Sequence, residues 1–140
     1  MGITITATNT KYDFDMGYGG FFNLRKNIAL ALDKEFGENY AKLSSCWSLE
    51  DYNANDEIAN KIIEKKHLYE NYEDIINFLY APDESGKISH KTCRNIYNLI
   101  KDIDFGKKSF RYGAFVHNDY EEFKAFLAEC YSKHRKMRWY

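Results

Sequence analysis

The two ends of the chain carry the same pattern, an alternation of apolar and polar side chains. Ile3–Thr8 alternates isoleucine or alanine with threonine, and Lys136–Tyr140 places Met137 and Trp139 on one side. A period of two is typical of strands with one buried face. Because an isolated strand leaves its backbone groups unpaired, each end needs a partner. We therefore predict that the two ends pair in one sheet, with Tyr12–Met16 joining the first strand as a hairpin.

Between these ends, apolar residues recur at helical spacing. The first predicted helix runs from Phe21 to Phe36 and stops at Gly37, the second is capped by Asn55 or Asp56, and the third is capped by Asn71. The fourth is capped by Ser89 and has an apolar stripe of Cys93, Ile96, Ile100 and Ile103. The fifth begins at a capping box of Asn118 and Glu121 and has an apolar stripe of Tyr120, Phe123, Leu127 and Cys130. The predicted fold class is α+β, with about five helices packed on a small two- to three-stranded sheet that joins the N- and C-terminal strands. No low-complexity tract divides the chain, so residues 1–140 are predicted to form a single domain.

Three segments lack a clean period. Glu38–Tyr52 is expected to pack over the core through its apolar residues Tyr40, Leu43, Trp47 and Leu49. Asp83–Gly86 has turn composition, and the loosely patterned stretch from Asp104 to His117 contains several aromatic residues. Asp83–Gly86 is therefore predicted as a turn, and no regular element is assigned to the other two segments.

Charge and cysteine content exclude several classes of protein. Twenty Lys and Arg against 21 Asp and Glu leave a formal charge of −1, so no overall field directs the chain to nucleic acid, and no such partner is expected. Three widely spaced cysteines, Cys46, Cys93 and Cys130, fit neither a disulfide framework nor a zinc site. No apolar run reaches the roughly 20 residues that cross a bilayer. We expect reduced thiols in a cytoplasmic protein without a membrane partner.

The glycine cluster before the first helix is the main candidate for a ligand site. Gly17, Gly19 and Gly20 could expose backbone N–H groups at a helix N-terminus to an anion, and Arg25 lies one turn beyond Phe21. The cluster completes neither a dinucleotide fingerprint nor a P-loop. A tight turn that uses glycine's conformational freedom is the alternative interpretation.

Motifs for metal binding and catalysis are incomplete. Asp83–Ile88 resembles the middle of a calcium loop, but the flanking ligand positions are Ala81 and Thr92. His67, His90, His117 and His134 are scattered, and no nucleophile-elbow motif occurs. We therefore predict no metal, no cofactor and no catalytic residue.

A basic segment precedes the end of the chain. Lys133, Arg135, Lys136 and Arg138 accompany His134 there, followed by Trp139 and Tyr140. Cations at a helix C-terminus are favourable for the helix dipole, which is the simpler explanation. Contact with RNA or with an acidic partner is the other possibility.

Several segments together resemble a group of small uncharacterised bacterial, prophage and phage proteins. The matching segments are a strand that opens with Met-Gly, the stretch Met16–Arg25 (MGYGGFFNLR), the turn and helix Asp83–Cys93 (DESGKISHKTC), and an ending with Phe123, Cys130 and Met137–Trp139. Glu84 and Ser85 replace the second half of the family's acidic turn. The resemblance implies no known reaction and suggests a setting of mobile elements and bacterial conflict, where small proteins inhibit toxins or defence nucleases.

The sequence is interpreted as a non-enzymatic partner-binding protein. It would act as a phage-encoded or mobile-element inhibitor of a bacterial defence system, anti-CRISPR-like, or as a toxin-immunity protein. Exposed aromatic and arginine side chains carry binding energy at such interfaces. The residues predicted to contact the partner are Tyr18, Arg25, Asp83, Tyr112, Arg135 and Arg138. The alternative is a small-ligand or nucleotide binder, possibly an enzyme, built on Gly17–Gly20 with Arg25.

Overall fold

Helices and short strands follow one another along residues 2–112 and 118–140, the parts of the chain that the computed structural model describes. In order, the elements are β1 (Ile3–Thr6), β2 (Phe14–Met16), α1 (Tyr18–Leu32), α2 (Lys34–Ala41), a 3₁₀ turn (Lys42–Ser45), α3 (Leu49–Lys65), α4 (Leu68–Leu79), β3 (Gly86–Ile88), α5 (His90–Ile100), α6 (Asp119–Ser132) and β4 (Met137–Trp139). The predicted α+β class is confirmed. Within the described residues there are six α-helices and four strands, slightly more of each than predicted.

The two ends of the chain pair, as their alternation predicts. The antiparallel sheet has the order β2-β1-β4-β3, so β1 and β4 are its central strands. Thr4 and Tyr140 exchange backbone hydrogen bonds of 2.8 and 3.1 Å. Met137 and Trp139 are buried on the helix side, whereas Arg138 and Tyr140 are exposed on the other side. The structure therefore confirms that the two terminal strands pair and that Met137 and Trp139 lie on the same side of the sheet.

The sheet has a fourth strand that the turn composition of Asp83–Gly86 concealed. Gly86–Ile88 pairs with β4, and Gly86 lies opposite Trp139. A Cβ atom added to Gly86 would lie 2.1 Å from Cζ2 of Trp139. Glycine is therefore required here because the indole covers the strand, and the prediction of a sheet with at most three strands is wrong.

The first long helix is broken where the sequence predicts continuity. α1 ends at Leu32, Asp33 adopts an extended conformation, and its carboxylate accepts a hydrogen bond from the N–H of Phe36 to start α2. Gly37 is not a helix stop. It lies inside α2, where an added Cβ would come within 2.5 Å of the Leu30 backbone. The glycine thus allows the two helices to approach closely.

Two predicted helix caps are wrong. α3 begins after Ser48, whose hydroxyl accepts from the N–H of Asp51 at 3.1 Å, so Asn55 and Asp56 lie inside the helix. α4 begins after His67, which has a left-handed backbone, rather than at Asn71. In both cases the helix starts earlier in the chain than the predicted cap.

The last two helices have the predicted buried faces. Ser89 caps α5 through the N–H of Thr92, as predicted. Asn118 precedes α6 but makes no side-chain cap, and Glu121 binds Lys124 instead, so the predicted capping box is wrong. The side chains that the two stripes predict as buried are buried in the structure: Cys93, Ile96, Ile100, Tyr120, Phe123, Leu127 and Cys130. Ile103 is the exception, because it lies beyond the end of α5 and is half-exposed.

The helices cover one face of the sheet, and their buried side chains form one continuous cluster. Cys93 and Cys130 are free thiols with no exposed area, as the stripes predict. The neighbouring Cys93 thiol and burial raise the pKa of Cys130. Cys46 is half-buried and accepts a hydrogen bond from Asn55 at 3.2 Å. The two core thiols are therefore inert packing groups.

Candidate functional site

A cleft of about 510 Å³ opens between the start of α1, the end of α2 with its 3₁₀ turn, and the end of α4. Five of the residues that line it are aromatic, and one exposed acid, Asp83, lies beside them. We call it the tyrosine cleft. Its lining consists of Tyr18, Gly19, Phe22, Arg25, Tyr40, Leu43, Ser44, Tyr52, Leu79, Tyr80, Ala81, Pro82 and Asp83.

Arg25 forms part of the cleft floor and is only 3% exposed. Its Nη1 donates to the carbonyl of Ala81 at 2.8 Å and to Oδ1 of Asp83 at 3.1 Å. The guanidinium carbon lies 4.1 Å from the ring centroid of Phe21. Burial lowers the pKa of Arg25, against the opposing effects of Tyr40 and Asp83. The arginine therefore braces the turn after α4.

Two further side chains hold the same turn. The Tyr40 hydroxyl donates to the carbonyl of Leu79 at 2.8 Å, and Nε1 of Trp139 donates to the carbonyl of Pro82 at 2.9 Å. Carbonyls at a helix C-terminus lack partners within the helix. Side chains from α1, α2 and β4 thus donate hydrogen bonds to the carbonyls at and just after the end of α4, which hold the cleft floor in place.

The glycine cluster is divided between two environments. Gly19 lines the cleft and has open space around it, whereas an added Cβ at Gly20 would lie 2.2 Å from the Phe110 carbonyl oxygen. Gly17 packs near Tyr112 and has a φ of −78°. None of the three glycines has a positive φ. Only Gly20 is therefore required by the close approach of a neighbouring group, and none of the three is required by an unusual backbone conformation.

The residues predicted to bind a partner do not form one surface. Tyr18, Arg25 and Asp83 meet at the tyrosine cleft. Tyr112 lies by Gly17, outside the cleft lining. Arg138 is exposed on the outer face of β4, and Arg135 is half-buried just before that strand. The structure therefore gathers three of the six predicted residues.

An exposed apolar feature beside the cleft was missed. Trp47 is 95% exposed, Leu49 is 75% exposed and Tyr52 is 40% exposed. We call these three residues the exposed ridge; Tyr52 also lines the cleft. The prediction that Trp47 and Leu49 pack over the core is wrong, although Tyr40 is buried and Leu43 packs against the core. The sequence did carry a signal of this exposure: the apolar residues of Glu38–Tyr52 do not recur at helical spacing, as they would in a helix that faces the core.

The fold also brings together two histidines that are far apart in sequence. The rings of His90 and His134 stack with centroids 4.6 Å apart and planes at 20°. The Arg94 guanidinium lies 5.3 Å from the ring centroid of Tyr131, which also stacks on His90. Arg94 of α5 therefore adds a positive charge close to the basic segment that precedes β4.

The stacked histidines predict a measurable titration. Burial and the nearby cations, His134 first among them, lower the pKa of His90. The folded state thus resists protonation, so any stability that His90 contributes is present above its unfolded pKa, about 6.5, and is lost as the pH falls through the lowered folded pKa. We expect His134→Asn, tolerated at φ 54°, to raise the His90 pKa in an NMR titration. His67→Asn is the control, and an unchanged His90 curve in His134→Asn would contradict the coupling.

Residues 2–112 and 118–140 contain neither a cluster of metal-ligand side chains nor a helix suited to span a membrane. In these ranges, no group of three or more His, Cys, Asp or Glu side chains is placed to hold a metal ion. No helix described there is long and apolar enough to cross a membrane. His117 lies outside the described residues. Comparison of the chain with protein-family models, curated proteins and solved structures found no match.

Proposed function

We propose that this protein binds another protein through the exposed ridge and the adjoining tyrosine cleft. The observation that carries the proposal is the 95% exposure of Trp47, which is followed closely in the chain by the exposed Leu49 and Tyr52. Large apolar side chains exposed together mark interaction sites more often than isolated ones do. Tryptophan and tyrosine are also the residue types most enriched among those that dominate binding energy.

The biological setting proposed for this binding is the bacterial cytoplasm. The partner would be a toxin or a defence nuclease, and the protein would act as an immunity protein or an anti-CRISPR-like inhibitor without catalysing a reaction. The support is the sequence resemblance to small phage and prophage proteins, together with a cleft floor that is held by hydrogen bonds from Arg25, Tyr40 and Trp139. A preformed surface binds with a smaller loss of conformational entropy than a loop that must order first.

The experiment is capture of a partner from lysate of the native host, followed by reconstitution of the complex from purified components. Trp47→Ala is expected to weaken the reconstituted complex by about 30-fold or more, the size of a hot-spot effect of about 2 kcal/mol. The melting temperature of the free Trp47→Ala variant should stay at the wild-type value, because the Trp47 side chain makes little contact with the core. The matched control is Tyr69→Ala on α4, where the side chain is 47% exposed. Equal affinity of Trp47→Ala and wild type would refute the proposal.

A second candidate function is binding of a small ligand or nucleotide in the cleft. The observation in its favour is the cleft volume, about 510 Å³, which falls within the range of small-molecule sites. A nucleotide that binds only the folded chain would stabilise it by an amount that rises with the logarithm of the nucleotide concentration above Kd. Thermal-shift measurements with nucleotides separate the two functions: the protein-binding proposal expects no stabilisation, and a clear increase in melting temperature favours the small ligand.

A further inference from the structure

Two aromatic rings of the tyrosine cleft are exposed enough to contact a bound group. These are Tyr18 and Tyr52, which are 41% and 40% exposed. Phe22 and Tyr40 of the same lining stack on each other, with centroids 5.5 Å apart and planes at 9°, and Tyr40 is buried. The faces of such rings carry negative charge density, which attracts cations. An aromatic lining with accessible rings is therefore suited to a positively charged group.

Carboxylates at the cleft add to this attraction. The Asp83 side chain is 62% exposed and meets Arg25 through Oδ1. Asp83 is part of the cleft lining, and burial and the nearby carboxylates of Asp56 and Asp83 raise the pKa of Tyr52, whose ring also lines the cleft. α4 also ends at the cleft, and the C-terminal end of a helix dipole favours cations.

The one cation in the lining, Arg25, has its terminal donors engaged by protein acceptors. Arg25 is enclosed, and its Nη1 and Nη2 atoms already point to the carbonyls of residues 79, 81 and 82 and to Asp83. Nε of Arg25 has no partner among the described residues, but it is enclosed by protein and has almost no solvent contact. An anion thus finds no accessible donor on Arg25, while it would meet the exposed carboxylate of Asp83.

We infer that the tyrosine cleft binds a cationic side chain, lysine or arginine, that the partner protein presents next to the exposed ridge. This inference rests on the proposed function, because it assigns the chemistry of the partner at the same surface. Trp47 and Leu49 supply apolar contact area at the rim, and the cleft selects the charge of the inserted group.

The test measures binding of capped amino acids to the purified protein by NMR of its tyrosine ring signals. N-acetyl-lysine methylamide and N-acetyl-arginine methylamide are the cationic probes, and the corresponding norleucine and glutamate derivatives are the neutral and anionic controls. The expected result is saturable shifts at Tyr18 and Tyr52 with one or both cationic probes and weaker shifts with the controls. Equal binding of norleucine, stronger binding of glutamate, or no shift with either cation would overturn the inference.

Variants locate the probe and test the forces involved. Tyr52→Phe keeps a ring face and should retain probe affinity, whereas Tyr52→Leu should lose about two- to fivefold, the size of an exposed cation–π contact. Asp83→Asn should also weaken the cationic probes. Because Asp83 contacts Arg25, Asp56→Asn is a second charge variant that leaves the floor intact. Unchanged probe affinity in Tyr52→Leu and in both charge variants would contradict this location.

The inference and the proposed function can fail separately. Partner binding that depends on Trp47, together with no binding of any cationic probe, would disprove the cation site and leave the protein-binding function standing. Probe binding with no effect of Trp47→Ala on the captured complex would disprove the proposed interface and keep the cation site.

Discussion

Removal of Met137–Tyr140 is expected to leave a chain that no longer unfolds cooperatively. β4 lies between β1 and β3, so β3 loses its one partner in the described sheet and β1 keeps only β2. Met137 and Trp139 have 0% and 1% exposure, and truncation of such buried side chains costs about 2–5 kcal/mol each. The sum approaches the whole stability of a typical domain, about 5–15 kcal/mol. Loss of the Trp139 hydrogen bond also releases the turn after α4.

Thermal unfolding followed by circular dichroism measures this effect. The matched control is Tyr140→Ser, which removes a side chain that is 62% exposed and keeps the backbone pairing with Thr4. The control should melt close to wild type. A truncated chain with a sharp, wild-type transition would show that the terminal strand is not needed to hold the sheet.

Asp119→Asn is expected to destabilise the protein by about 3–5 kcal/mol, the usual loss when one partner of a buried ion pair is removed. The Asp119 side chain is fully enclosed. It accepts hydrogen bonds from Oγ of Ser109 at 2.6 Å, from the N–H groups of Phe110 and Arg111 at 2.9 Å each, and from Nε of Arg111 at 2.7 Å. Neutralising the carboxylate leaves the Arg111 guanidinium, which also contacts Glu122, without its main buried acceptor.

The same carboxylate makes this effect depend on pH. Burial alone would raise the pKa of Asp119, but the hydrogen bonds from Ser109, Arg111 and Phe110 outweigh it and lower the pKa. A lowered pKa means that the stabilisation is present above the unfolded value of about 4 and is lost as the pH falls through the folded value. The difference between wild type and Asp119→Asn should therefore shrink from pH 7 toward acid.

Urea unfolding at neutral and acidic pH tests this prediction. The control is Asp104→Asn, an exposed acid with one hydrogen bond to the N–H of Gly106, which should cost about 0.5–1.5 kcal/mol. A pH-independent loss in Asp119→Asn, or a loss no larger than that of the control, would contradict the assigned role.

The local sequence pattern was sufficient to predict the buried face of an element where that element packs against its neighbours on one side only. The alternation of Ile3–Thr8 and Lys136–Tyr140 predicted both the pairing and the buried side of the terminal strands, because period and facing are coupled in a pleated strand. The stripes through Cys93 and Cys130 predicted the faces of α5 and α6 for the same reason. These features need no knowledge of distant contacts.

Helix boundaries and the fourth strand depend on contacts that the local pattern does not contain. Asp33 interrupts an apolar stripe that continues on both sides of it, and Gly37 stands inside a helix because Leu30 approaches its backbone. Gly86 becomes part of a strand only because Trp139, more than 50 residues away in the chain, lies over it. Turn composition and glycine content are ambiguous until the neighbouring element is in place.

The candidate site shows the same division. Tyr18, Arg25 and Asp83 were recognisable by residue type from the sequence alone, but their meeting at one cleft required α1 and the end of α4 to pack together. The sequence offered Arg25 as a group for a ligand, whereas tertiary packing gave its donors to the free carbonyls after α4. Trp47 shows the reverse case: its apolar character suggested burial, and the packing of α2 and α3 left it in solvent. Which polar groups are satisfied and which apolar groups remain exposed depends on distant neighbours, so only the folded chain decides it.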